Sequence, residues 1–453
     1  MLRLRKDQQP TLWESVLPPE LFRMNEELSK VDKLLDDERF FAPFKEKFST
    51  RIGRPTIPVD TYLRILYLKH RYQLGYETLV KEVSDSFAWR RFCHLSLEDP
   101  VPDDTTLIKL TRKYGKNTLN ELNDAIVLKL KEEKVIRGKK LRLDTTVTEA
   151  NIHYPTDTSL LADGIKVVGR TVSKLKKLGV KIGDKFVNHT RRAKKICFTL
   201  AQVLRQRVNR NDPRVIKAKK ELVEMAEDIL IQGQRVQDKL AKQKEKSSRT
   251  EILRKRLSEW LAATRTIVRQ THEVLSGNLH LPERVVSIFD IGARPIRKGK
   301  VHIDTEFGHK VLVGETDHGI ISTYKMVQGN PPDVTLLKSG VRGHRRLFRK
   351  RLRAVATDRG FYSAKNVDWL TGSEVKQVSI PIRGKATKER LLEQKQPWFK
   401  RLQRFRAGLE ARISLLKRKF GLRRSLMRGD SGNEIWVGQA IFTYNLWQAA
   451  RIT

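Results

Sequence analysis

The sequence predicts an α/β core that is preceded by a helical domain and interrupted by a helical insertion, and three observations carry this. Short apolar runs of strand type recur at 141–143, 284–289, 301–304, 309–313, 320–324, 352–357 and 376–381. Helical spacing dominates 12–130 instead, and returns in the stripe Leu402, Phe405, Leu409, Ile413, Leu416 and Phe420. Across 165–281 the strand signals stop, and 29 Lys or Arg stand against 11 Asp or Glu. The expected division is a helical domain over 1–135, the first part of the core over 136–164, the insertion over 165–281 and the rest of the core over 282–453.

In the N-terminal part, Leu17-Pro18-Pro19-Glu20 reads as a helix start, 59–71 as a second helix and 76–84 as a third beyond the turn at Leu74-Gly75. Two helices about Gly75, followed by Trp89-Arg90-Arg91, fit a helix-turn-helix that enters a DNA groove. They fit equally a pair that packs together, with Leu63, Ile65, Leu66 and Leu68 as core. The first core strand ends at Asp144. In the insertion, 212–232 and 234–275 read as long helices, either a DNA-gripping or dimerising arm or a solvated hairpin. The excess of about 18 positive charges favours DNA. Beyond it come four strand-type runs, a helix over 333–349, a strand that closes on Asp358, a helix over 364–370, a strand and a last helix that carries Glu410.

Asp144, Asp358 and Glu410 are the most informative residues. A carboxylate at the end of a buried strand is costly unless a cation sits against it, so the two aspartates point to a metal site. Glu410 lies at the rim of its apolar stripe, on the side that also carries Gln403, Arg406 and Lys417. Sixteen Lys or Arg and three acids occupy 383–428. The plainer alternative is therefore that Glu410 only pairs with Arg406 at i,i+4. Asp163, Asp290, Asp304 and Asp317 are other acids near strand ends.

Leu143-Asp144-Thr145-Thr146-Val147, Thr357-Asp358-Arg359-Gly360-Phe361-Tyr362-Ser363 and Arg406-x3-Glu410-x6-Lys417 together resemble the DDE-class insertion-sequence transposases of bacteria, in the group with a Tyr-Arg-Glu-Lys signature. Thr148-Glu149-Ala150-Asn151-Ile152, Thr156-Asp157, Gly299-Lys300, Gly308-His309-Lys310 and Gly329-Asn330-Pro331-Pro332-Asp333 match the same family, whereas Gln403 stands where it has tyrosine. The resemblance covers nearly the whole chain outside 165–281. It implies a ribonuclease H-like core, cleavage at transposon ends and strand transfer into target DNA. It also implies that Asp144, Asp358 and Glu410 are catalytic and hold two Mg²⁺ or Mn²⁺ ions, which stabilise the attacking and leaving oxygens of an in-line displacement. Arg406 and Lys417 would lie beside the scissile or a neighbouring phosphate.

Composition agrees independently. With 92 Lys plus Arg, 52 Asp plus Glu and a formal charge of +40, the chain suits a polyanionic partner, double-stranded DNA. No apolar run approaches the roughly 20 residues of a membrane span, and residues 1–10 are charged, so a cytoplasmic, nucleoid-associated protein is expected. Cys93 and Cys197 are too few for a disulfide framework or a Cys-rich zinc site, and no His-Glu-x-x-His or phosphate-loop motif occurs. A homodimer or larger assembly on DNA is expected because two ends must be held together. Two other readings remain open: a ribonuclease H-like nuclease without strand transfer, and a non-catalytic DNA-binding descendant of a transposase.

Overall fold

The computed structural model describes residues 1–5, 11–49, 52–180, 186–205, 212–242, 247–297, 305–384 and 387–453. The chain forms two compact units, one of residues 1–151 with 309–453 and one of 152–308.

The first unit opens with helices α1 (Leu12–Val16), α2 (Glu26–Leu35), α3 (Val59–Arg71), α4 (Tyr76–Asp85), α5 (Phe87–Phe92) and α6 (Asp104–Glu132). Where a helix was expected, Pro19–Phe22 forms a single 3-10 turn, ended by the extended backbone of Arg23 (φ −67°, ψ 115°). α3 is buried at every residue from Val59 to His70, so it is a core helix with no free face for a DNA groove. Arg90 is likewise committed: its guanidinium donates to the carbonyls of Ser96, Leu97 and Asp99.

The sheet begins with β1 (Lys140–Glu149). The sequence places Asp144 at the end of this strand, but β1 runs five residues further. Thr146, Val147 and Thr148 are β-branched and buried, and they carry the extended chain on past the charge.

The second unit contains α7 (Asp157–Lys177), α8 (Thr190–Arg205), α9 (Pro213–Lys242) and α10 (Ser248–Leu275), with a core of leucines, valines and isoleucines from α7, α9 and α10. α9 passes straight through residue 233, where a break was expected. Gly233 costs the helix little there because Leu261 of α10 packs against its bare backbone, 2.6 Å from where a Cβ would stand. Segment 284–289 forms no strand. Both backbone groups of Val285 bond to the side chain of Gln270 on α10, so they have no need of a neighbouring strand. The strand of this region is β2 (Arg294–Arg297), and the strand expected at 301–304 lies outside the described residues. The unit spans 152–308, wider at both ends than the basic segment 165–281, because α7 starts at Asp157 and β2 pairs with the chain up to Gly308.

β3 (Thr305–Glu315) crosses the unit boundary. Its first residues pair antiparallel with β2, and from Lys310 onward it pairs antiparallel with β4 (Ile321–Val327). Then follow α11 (Leu337–Phe348), β5 (Ala354–Ala356), α12 (Ala364–Gly372), β6 (Gln377–Ser379), α13 (Lys388–Lys395), α14 (Pro397–Lys419) and α15 (Gly429–Ile452). In the first unit the strand order is β4-β3-β1-β5-β6, with β5 parallel to both β1 and β6. α14 buries Leu402, Leu409 and Leu416 of its expected stripe. α15 is buried nearly all round: Phe442 and Leu446 join the core of the N-terminal helices, while Val437, Ile441 and Tyr444 join the core between α14 and the sheet.

Candidate active site

β1 and β5 are neighbouring parallel strands, Lys140 opposite Ala354 and Arg142 opposite Ala356. That pairing brings Asp144 beside Asp358, which lies two residues past β5 and caps the 3-10 turn Arg359–Phe361 by accepting from the Gly360 amide at 3.0 Å. Asp144 accepts from the Thr145 amide at 2.7 Å. Burial and then repulsion from Asp358 push the Asp144 carboxyl up to about 6. Burial also raises Asp358, against the opposing pull of Arg406.

α14 crosses this pair. Arg406 places Nη2 3.4 Å from Asp144 and Nη1 2.9 Å from Glu410. The structure therefore joins Glu410 to the aspartates through a guanidinium. The i,i+4 pairing and the shared site occur together: Glu410 is 62% exposed and turned towards Arg406 rather than closed onto the aspartates. Lys417 lies two turns further along α14, about 10 Å in axial rise, where it lines a separate basic cavity.

The helix is held in register by two contacts. Arg142, on the same face of β1 as Asp144, pairs with the fully buried Glu315 and donates to the Phe405 carbonyl, with its guanidinium 4.4 Å from the Phe405 ring centre. Gly408 lets the backbone of α14 approach that guanidinium; a Cβ there would lie 2.5 Å from Nη1. Gln403 turns inward, with its amide nitrogen 3.2 Å from the Thr357 carbonyl and 2.8 Å from that of Ser379. It thus ties α14 to the residue before Asp358.

Asp333, part of the Gly-Asn-Pro-Pro-Asp segment, has no role that sequence reasoning assigns. Its Oδ2 accepts from Thr145 Oγ1 at 3.0 Å, and its Oδ1 accepts from the buried Lys310 ammonium at 3.0 Å. A Cβ on Gly360 would stand 3.1 Å from Asp358 Oδ1 and 3.4 Å from Asp333 Oδ2, so the two carboxylates flank one glycine. The Gly-His-Lys and Gly-Asn-Pro-Pro-Asp segments thus meet in one ion pair beside the aspartates. The other acids near strand ends are used elsewhere: Asp163 bonds His153, and Asp317 accepts from the Arg137 and Gly138 amides. Asp290 is buried in the second unit, and Asp304 lies outside the described residues. In a cluster of Asp32, Asp36 and His94 both aspartates already pair with Arg64, whose guanidinium lies 2.7 Å from each.

Buried, mutually repelling carboxylates with hard oxygen donors fit a divalent cation, and the raised Asp144 and Asp358 are the observation that supports this. The comparisons agree: residues 296–446 match the family described as Transposase DDE domain, and residues 19–113 match Transposase domain (DUF772). The chain belongs to the insertion-sequence DDE transposases, DNA-acting enzymes of the polynucleotidyl transferase and nuclease class. The DDE domain implies a ribonuclease H-like fold, with which the mixed sheet is consistent, and the family uses divalent metal ions. The chain is also similar to the "Uncharacterized protein ORF8 in nfe locus" of Rhizobium meliloti, 28% identical over 162 residues that cover 34% of this chain and 76% of that protein. No solved structure matches. Among the described residues no helix is long and apolar enough to cross a membrane.

Proposed function

We propose that the protein cuts DNA at the ends of its transposable element and joins the freed 3′-hydroxyl to target DNA, with Asp144, Asp358 and Glu410 as catalytic metal ligands. The observation that carries this reading is the meeting of Asp144 and Asp358 across β1 and β5 with α14 laid over them. Two Mg²⁺ ions, or Mn²⁺ in their place, would supply charge stabilisation to the attacking and leaving oxygens. Asp144, Asp358 and Glu410 would hold the ions. Arg406 spans Asp144 and Glu410, and its guanidinium fork would be suited to clamp the phosphate being cut if those acids held metal instead. Lys417 would meet a neighbouring phosphate.

A metal site would contact phosphates, which carry no sequence, so base contacts must come from other surfaces. Exposed faces of the N-terminal helices and the basic second unit are suited to them, the latter by its excess of positive charge. A homodimer or larger assembly would hold two ends together. The test is calorimetric binding of Mn²⁺ to the protein–DNA complex. Wild type should take up metal and Asp144→Asn should lose at least one ion; equal uptake by both would refute the assignment.

A further inference from the structure

A cavity of about 360 Å³ opens at the C-terminal end of α14. Its lining includes Lys69, Lys417, Arg418, Arg423 and Arg424, with Trp436 on one side and no carboxylate. The walls are built rather than incidental. Three carbonyls at the end of α14 are met by side chains from elsewhere in the fold: Arg418 O by Gln73, in the turn after α3, at 2.8 Å, Phe420 O by His70 of α3 at 3.4 Å and Gly421 O by Trp436 of α15 at 2.8 Å. Gly421 takes the left-handed backbone (φ 76°) that turns the chain out of α14 and along the cavity.

Lys69 is the unusual member. It is 2% exposed, yet its ammonium faces only the rings of Tyr76 and Trp436, at 4.7 and 4.4 Å, and among the described residues no carboxylate pairs with it. Burial alone pulls it down to about 8, and its neighbour His70, pulled down to about 3, stays neutral and adds no charge. An unpaired buried ammonium is costly, and aromatic faces recover only part of its lost hydration. Lining the cavity together with four more cations, it is suited to receive an anion.

We propose that this cavity is a phosphate-binding pocket, with Lys69 as its floor, that grips the DNA backbone within a few nucleotides of the bond that is cut. The spacing comes from α14: Glu410 to Lys417 is seven residues, about 10 Å of axial rise, which keeps the pocket close to the metal site on the same helix. The inference rests on the metal-site assignment for that distance, and on DNA as substrate for the ligand. The same chemistry would admit a free phosphate, and the experiment separates the two sources.

Full-length wild type and Lys69→Met are titrated with a duplex carrying the element end, over a range of salt and with single neutral methylphosphonate linkages stepped along the strand. Lys69→Met should bind about tenfold more weakly, and its log–log salt slope should fall by about 0.9. A methylphosphonate at the linkage that the pocket grips should weaken wild type and leave Lys69→Met unaffected. Equal sensitivity of both proteins at every linkage overturns the pocket. A Tm rise with inorganic phosphate that Lys69→Met lacks, together with equal methylphosphonate profiles, overturns the DNA assignment in favour of a free phosphate. Because the substitution removes an unpaired buried charge, its Tm should hold or rise. If it does not fold, Arg424→Gln, at an exposed wall position, carries the same test with a smaller loss. Mg²⁺-dependent cleavage by the same wild-type preparation keeps the pocket separate from the catalytic reading: cutting with no effect of Lys69 sinks the pocket alone.

Discussion

Replacing Asp144 by asparagine should inactivate the protein and stabilise it. The folded-state carboxyl is raised from the ordinary 3.8 to about 6, first by burial and then by Asp358. At ~1.4 kcal/mol for each tenfold change in proton affinity, that rise corresponds to about 3 kcal/mol as an upper bound, and the side chain is only 14% exposed, so solvent screens little of it. The sign follows from the direction. A carboxyl whose folded pKa lies above its unfolded value favours the fold below about pH 4, and that contribution is lost as pH rises through 6. At pH 8 without metal the wild type therefore bears the full cost, which Asp144→Asn removes. The expected gain is roughly 5 °C in Tm at pH 8, shrinking to nothing near pH 4, read by calorimetry in chelator. Saturating Mn²⁺ should narrow the gap from the wild-type side, since only the charged site binds metal. A variant that is less stable at pH 8, or a gain that does not change with pH, would refute the electrostatic account of the site.

Arg142→Ala leaves the Glu315 carboxylate buried with only Arg412 at 3.7 Å, and should cost about 3–5 kcal/mol in denaturant unfolding. Adding Glu315→Gln should recover much of that, because the two side chains act as one unit. Asp333→Ala removes the partner of the buried Lys310 ammonium and the acceptor of Thr145. Cleavage should fall tenfold or more at saturating DNA, with affinity for the duplex little changed in binding titrations. Gly408→Ala forces Arg142 off Phe405, and should lower stability by about 1–3 kcal/mol and cleavage further than binding.

Local signals made much of the site legible in the sequence. α3, α4, α12 and α14 follow from helical spacing and turn residues, and the strands bearing Asp144 and Asp358 follow from apolar runs that end in an acid. The same cue misplaced the end of β1: a charge looked like a boundary, whereas the β-branched residues that follow it keep the chain extended. Long-range pairings were not legible. Nothing local tells that Glu315 is fully buried against Arg142, that Gln270 replaces a strand partner for Val285, or that Lys310 and Asp333 meet. α15 escaped notice for a related reason, since a helix buried on all sides shows no apolar stripe. Gln403 shows how a departure from the family pattern can be absorbed, as its amide holds α14 to the strand ends from inside.

The most direct measurement is Mg²⁺-dependent cleavage and joining of a labelled duplex that carries the inverted repeat flanking the gene, by wild type and by Asp358→Asn. The account predicts that wild type cuts and joins, while the variant binds the same duplex and does neither. Equal cutting by the two proteins would contradict the assignment of the acids, and binding without reaction by wild type in Mg²⁺ and Mn²⁺ alike would contradict the proposed reaction itself.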